Sequence, residues 1–332
     1  MPSNAPSSGS TAGRFVWLAL GIVLFGVFWT IGWHLIAGRI EAHLPASLQQ
    51  MAGQQAQAEC SNAKVRGYPF RFGLFCDGIG YRNSQLGLSA GSGALRSAAQ
   101  FYRPNHIVSE VDGPVVFSGL AGEGRIDWQT LQTSVFATSG GLDRGSLDTR
   151  NISIDIDSAE LSGKLGLRAQ RLTAHVRKNG RDFDIATYAE QVQSDLLSQI
   201  GAEKLTLEAT LPNQAALLDA PFRAPQGAYQ MQVHRMMIEL EEGASLEIAG
   251  TAQIGEDGLI SGDLNLTISN QHRFAELAAR IDPDSGNLIG NVAPMLGALD
   301  TVPGDDAITV PLTIRNGAVS MGFIPLGRLP AM

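Results

Sequence analysis

The sequence reads as a mainly β (α+β) protein carried on one N-terminal transmembrane helix. Three observations lead there. The run Phe15–Ala37 contains no Asp, Glu, Lys or Arg. As a helix rising about 1.5 Å per residue it covers roughly 35 Å, against about 30 Å of bilayer hydrocarbon. Beyond it, short stretches alternate apolar and polar residues, the period of a half-buried strand. Gly and Pro recur between them, 38 and 15 times in 332 residues, where a chain of strands needs its turns.

Composition sets the limits. Hydrophobic residues make up 44% and charged residues 17%, which suits a packed core and not a disordered chain. A formal net charge of -8 argues against a protein that grips nucleic acid through its phosphates.

Taken in order, residues 1–14 are rich in Ser, Ala, Gly and Pro and read as a disordered cytoplasmic tail. Residues 15–37 form the transmembrane helix. Arg14 precedes it and Arg39 follows it, so positive-inside counting decides little. Trp17 and Trp33 lie near its two ends, where an amphipathic ring prefers the headgroup level. A cleaved signal peptide would have an apolar region of about 7–15 residues ending in a small-x-small site. This run is longer and lacks that site. His34 reads as an interfacial residue in preference to a proton relay. Residues 38–58 form a helical stalk, with Ile40, Leu44, Leu48 and Met51 at helical spacing and Pro45 marking a kink or restart. That stripe packs on the following domain or on headgroups, or else receives a partner.

The β-rich domain spans 59–332, with a subdivision suggested near 212–228 by Pro212, Pro221 and Pro225. It opens on the chain's two cysteines, Cys60 and Cys76. In an oxidising compartment such a pair closes a loop and removes about 3 kcal/mol of unfolded-state freedom. A metal site would need more ligands, no His lies between them, and no C-x-x-C motif is present. The pair therefore reads as a structural disulfide on the export side of the membrane. Within the loop Phe70, Phe72, Leu74 and Cys76 alternate with Arg71, Gly73 and Phe75 as a strand. Tyr68-Pro69 forms the turn before it and is a candidate cis bond. Arg66 and Arg71 are candidate lipid-headgroup contacts, set against the plainer reading of a solvated face.

From Leu86 onward strands follow one another as a meander. Ile107 to Val111, Pro114 to Phe117, Arg125 to Trp128 and Leu131 to Phe136 come first. In Ile152 to Ile156 the isoleucines face one way while Ser153 and Asp155 face the other. Leu172, Ala174 and Val176 turn at Asn179-Gly180 into Phe183, Ile185 and Thr187, a strong hairpin signal. The alternation returns at Leu205 to Leu211, Met236 to Leu240 and Leu246 to Ala252, then after a turn at 255–258 at Ile260 to Ile268. Phe274, Leu277, Ala278 and Ile281 form a helical stripe ended by Asp282-Pro283, and Ile289, Val292, Leu296 and Leu299 a second. Ile308 to Ile314, an Asn316-Gly317 turn, and Val319, Met321 and Phe323 close the chain as a hairpin. Such a sheet has one apolar and one polar face. Helices, a second sheet or acyl chains can cover the apolar one, and the last would make it a lipid groove.

Motifs of catalysis are weak. Gly87-Leu88-Ser89-Ala90-Gly91 matches the nucleophile elbow, which makes Ser89 the residue of a serine-hydrolase alternative. Its flanks are Gly- and Ser-rich, with no helix before Ala94 to Phe101. The six histidines show no metal spacing, and Asp155 with Asp157, or Asp282 with Asp284, lack the rest of a calcium loop. No cofactor is expected.

RGYPFRFGLFCDGI at 66–79, GALRSAAQFYRP at 93–104, VDGP at 111–114 and GFIPLGRLP at 322–330 resemble the domain of unknown function family 2125. Its members are alphaproteobacterial proteins with a single N-terminal membrane segment. The resemblance implies a Gram-negative envelope location and no chemistry, so no catalytic position carries over. The expectation is a single-pass inner-membrane protein, N-terminus cytoplasmic and β-rich domain periplasmic. It would be non-enzymatic, binding lipid or an envelope protein through its curved sheet. A structural subunit of a membrane complex is a further alternative.

Overall fold

A computed structural model describes residues 11–53, 55–119, 122–158, 163–195, 201–219, 227–281, 307–322 and 324–331. Among these, one long helix leads into a single antiparallel sheet whose strands follow chain order.

Helix α1 (Thr11–Ala52) is long and apolar enough to cross a membrane. It begins inside the stretch read as tail and continues through Pro45, where the sequence suggests a kink or restart. Leu44 and Leu48, on either side of that proline, are half-buried. It ends at Ala52, short of the expected 58. Gly53 takes φ 88, its N–H donates to the Gln49 carbonyl (3.0 Å), and Ala56 already begins a strand. A glycine in the left-handed region is a common helix stop.

The short runs of the N-terminal half prove to be halves of tall strands. β1 (Ala56–Ser61) runs on into β2 (Lys64–Arg66), and β3 (Arg71–Cys76) into β4 (Gly78–Asn83). β5 (Leu88–Ser92) runs into β6 (Leu95–Gln100), β7 (Arg103–Val111) into β8 (Val115–Gly119), and β9 (Gly122–Asp127) into β10 (Thr130–Thr138). Lower halves pair β1–β4–β5–β8–β9 and upper halves β2–β3–β6–β7–β10. Both rows end on one unbroken strand, β11 (Gly141–Ser158), which pairs with β9 along one half and β10 along the other.

The breaks line up across the sheet and are stitched to one another. Asn62 Nδ2 donates to Asp77 (2.8 Å), Gly93 N to Asp112 O (3.1 Å) and Asp112 N to Ala94 O (2.8 Å). Gln129 N donates to Arg150 O (2.9 Å), and Asn151, at φ 49, donates from Nδ2 to Gln129 Oε1 (2.6 Å). Asn, Asp, Gly and Pro sit at these positions because they tolerate left-handed backbone or lack a ladder N–H. The line lets long strands bend where a continuous ladder would only twist.

Beyond β11 the meander continues with β12 (Gly163–Asn179), β13 (Asp182–Ser194), β14 (Ala202–Leu211), β15 (Tyr229–Leu240), β16 (Ser245–Ile254) and β17 (Ile260–Ser269). β14 and β15, which flank the suggested subdivision, pair directly; residues 220–226, with Pro221 and Pro225, lie outside the described residues. Helix α2 (Gln271–Ile281) follows, with Leu277 fully buried against Ala244, Leu240 and Phe274. The stripe at 289–299, the Asp282–Asp284 pair and Phe323 lie outside the described residues. β18 (Ala307–Arg315) and β19 (Ala318–Met321) form the expected hairpin, with positive φ at both Asn316 and Gly317. A further strand the sequence reading leaves unassigned, β20 (Ile324–Arg328), pairs with β19.

One face of the sheet is apolar from end to end. Its buried clusters centre on Ile152, Ala169, Ala189 and Val192, on Phe183, Leu211 and Leu218, and on Leu264, Val310, Leu312 and Ile314. Complete burial of side chains such as Val310 contributes about 1.5–3 kcal/mol each. The opposite face is polar and holds the cavities described next.

Candidate functional site

The polar side chains of successive strands converge because antiparallel register places them opposite one another. Arg96 sits opposite Glu110, Glu110 opposite Gln132, Asp148 opposite Thr173, and Thr173 opposite Tyr188. Together they line a cavity of about 930 Å3 that extends from Arg66 and Arg71 beside α1 to Lys204 on β14. A second cavity of about 700 Å3 shares Ser134, Ser146, His175 and Tyr188 with it and continues to Asp184, Glu208 and His234. The two form one trough. His234 reaches it through a bulge: Ala209 pairs with Val233 and Glu208 with Arg235, which leaves His234 unpaired by β14.

Most charges in the trough neutralise one another. Arg96 donates to both carboxylate oxygens of Asp112 (2.8 and 2.5 Å) and to Glu110 (3.2 Å). The hydrogen bond from Arg96 holds the Asp112 carboxyl below the usual carboxylate range. Arg171 donates from Nε and Nη2 to one carboxylate oxygen of Asp148 (3.1 and 2.5 Å). Tyr188 donates its hydroxyl to Glu208 (2.6 Å), and this bond, reinforced by burial, raises the phenol above its ordinary pKa. Burial pushes Asp184 up, but the Thr210 hydroxyl (2.7 Å) and Arg177 (2.9 Å) outweigh it, and its pKa falls.

In the larger cavity three cations are left over. Among the described residues, Arg66, Arg71 and Lys204 make no ion pair with a carboxylate; Arg66 lies over the Phe75 ring at 5.4 Å. The large cavity is lined by five basic and three acidic side chains, in a chain whose net charge is -8. Its excess charge is therefore positive and concentrated next to the helix, which suits an anionic group.

The turn between β2 and β3 clips this end to α1. Trp29 Nε1 donates to Pro69 O (3.1 Å), Trp33 Nε1 donates to Arg71 O (3.2 Å), and the Thr30 and Tyr68 hydroxyls bond at 2.7 Å. Trp33 stacks on Phe72 at 5.3 Å and is buried with Ala37 against Val65. Tyr68-Pro69 is cis, as the aromatic-Pro pair suggests. Further along, Glu41 Oε1 accepts the N–H of Val65 (2.6 Å) on the edge strand, so the helix covers an edge that would otherwise be open to pairing. Helix α1 thus contacts the sheet and its turns at points from Trp29 to Gln49. The sequence reading assigns 29–37 wholly to lipid, because an apolar helix face looks the same whether bilayer or protein covers it.

Cys60 and Cys76 form a disulfide with Cα atoms 5.3 Å apart, linking the first tall strand to the second at the line of breaks. Ser89 lies on strand β5 and not on a strand–turn–helix elbow; its Oγ is 2.9 Å from Ser118 Oγ. The segment 95–100, the earliest place the sequence allowed a helix, is strand β6. Among the described residues no His/Cys/Asp/Glu group gathers with metal-binding geometry. Arg96, Arg171, Tyr188 and Lys204 are given no role in the sequence reading, and His234 is weighed there only as one of six histidines without metal spacing. Their only signal there is their place on the polar side of alternating runs.

Fold and site together define a protein with one membrane-length helix docked to the edge of a long, bent antiparallel sheet that carries a polar trough. The sequence model of domain of unknown function family 2125, described as an uncharacterized protein conserved in bacteria, matches residues 33–330, and the chain belongs to that family. No curated protein and no solved structure matches the chain.

Proposed function

We propose that this chain is a single-pass inner-membrane protein, N-terminus in the cytoplasm and sheet in the periplasm, that binds anionic lipid headgroups without acting as an enzyme. The observation that carries the reading is the pair Arg66 and Arg71. Both line the trough, neither faces a carboxylate among the described residues, and both flank the turn hydrogen-bonded to α1. A disulfide just outside the membrane helix supports the oxidising side, since cytosolic thiols are kept reduced.

Each basic residue at an anionic surface contributes about 1 kcal/mol, so the two together amount to roughly 30-fold in partitioning. The full chain is reconstituted in nanodiscs of mixed zwitterionic and anionic phospholipid, and the lipid retained after detergent exchange is extracted and weighed by mass spectrometry. Anionic lipid enriched over the bulk mixture, with the enrichment lost in Arg66→Gln/Arg71→Gln, is the expected result. Retained lipid that mirrors the bulk mixture in both proteins overturns it.

An envelope protein is the second reading, favoured by the far edge of the sheet. β20 pairs on one side only, with β19, which leaves a strand edge for β-augmentation among the described residues.

A further inference from the structure

The membrane reading of α1 leaves a discrepancy of length. Phe15 to Phe28 is the part of the apolar run free of the domain, with Phe15 69% and Phe28 76% exposed. Those 14 residues span only about 21 Å as a helix, some 9 Å less than the hydrocarbon of a bilayer. Reaching about 30 Å takes roughly 20 residues, which brings the bilayer surface to the level of Trp33 and His34. At that level α1 is already in contact with the turn joining β2 to β3 through Trp29, Thr30 and Trp33.

The residues at that level are of the kind a bilayer surface would select. Phe70 is 65% exposed, Tyr102 60% and Phe101 40%, and Tyr68 beside them is exposed too. Phe101 N donates to Phe70 O (3.1 Å), which joins the β2–β3 turn to the β6–β7 turn. The Phe101 ring meets Trp29 edge-on at 4.8 Å, so the patch is continuous with the helix. Four fully described turns at the same end of the strands, Ser139-Gly140, Gly180-Arg181, Glu256-Asp257 and Asn316-Gly317, lie farther from α1 and carry no aromatic side chain at their tips. The β14–β15 connection also leaves from this end, and its residues 220–226 lie outside the described residues. Among the fully described turns of this end, the two beside α1 are the ones with aromatic tips, and aromatic rings favour the membrane interface.

We infer that the turns 67–70 and 101–102 insert their aromatic tips into the bilayer interface and form a second membrane contact beside α1. The partner is the phospholipid surface itself. The anchor therefore holds the sheet against the membrane, with the mouth of the trough at headgroup height. This rests on α1 spanning the bilayer.

The test uses the full chain in phospholipid vesicles, with spin labels placed one at a time. Cys60 and Cys76 are bonded to each other and no free thiol exists, so each introduced cysteine is the only one labelled. Labels go on Phe70→Cys, Tyr102→Cys, Phe25→Cys on the free helix face, and Gln85→Cys at the opposite end of the second strand. Gln85 stands up to about 40 Å from the β2–β3 turn. Labels at 70 and 102 are expected to collide more often with oxygen than with a water-soluble nickel complex, as at 25, and the order reverses at 85. If 25 is lipid-exposed but 70 and 102 behave like 85, the second contact is absent and the anchor stands. If 25 also behaves like 85, the spanning reading itself fails. Labels at 70 and 102 shielded from both reagents mean that protein, such as a second copy, covers the patch, and this also overturns the inference. The two sites lie on different turns, so misfolding caused by one substitution leaves the other to decide.

Discussion

Single side chains in this protein act mostly through one neighbour. Asp112 sits at a strand break, where its backbone pairs with Gly93 and Ala94 and its carboxylate accepts two bonds from Arg96. The hydrogen bond from Arg96 lowers its pKa in the folded state. A depressed carboxylate stabilises the fold fully above its unfolded value of about 3.9, and that stabilisation is lost as pH falls through the lower folded value. Asp112→Asn should therefore cost about 1 kcal/mol or less at pH 7, because the pair is partly solvated, and flatten the fall in stability below about pH 4. Urea titrations of both proteins from pH 7 to pH 2.5 measure this; parallel curves would show that the pair contributes nothing. In the sequence Asp112 is one acid in a VDGP stretch. Its partner lies 16 residues earlier, and no local signal couples the two.

Elements here are stabilised by what lies across them. Strands β1 to β4 form the narrow start of the sheet, and the disulfide closes them into a loop with a sequence separation of 16. Cys60→Ser/Cys76→Ser should lower stability by about 3 kcal/mol in the chain-entropy account, with the wild type matching the variant once reduced. Chemical denaturation with and without reductant reads this; an unchanged midpoint in the variant would place the bond outside the cooperative unit. This pairing was legible in the sequence because only two cysteines exist. The alternation of the strands was legible too, since period 2 is a local property. The joining of half-strands into tall strands was not: it depends on which breaks align, and that is settled between chains of hydrogen bonds far apart in sequence.

Considered as one body, the protein is a sheet whose first edge is covered by helix α1. Val65, Phe72 and Leu74 are covered by Trp33 and Ala37, and the Val65 N–H bonds to Glu41. A fragment starting at residue 53 loses both covers and presents an open edge with an apolar flank. It should associate in a concentration-dependent way, read by light scattering; a fragment that stays monomeric would mean that the edge is protected without the helix. The same docking argues that helix α1 and the sheet move as a unit.

Local chemistry was enough to identify a membrane-length helix, a two-faced β meander, its hairpin turns, the α2 stripe and the cysteine pair. Each of these depends on residues a few positions apart or, for the cysteines, on the lack of any other partner. Where the apolar helix face is covered by protein and where it is left exposed, which arginines lack a carboxylate, and how the polar side chains gather into one trough emerged only with the chain folded. Burial and charge pairing are properties of neighbours in space, and strand register brings together residues that the sequence keeps tens of positions apart.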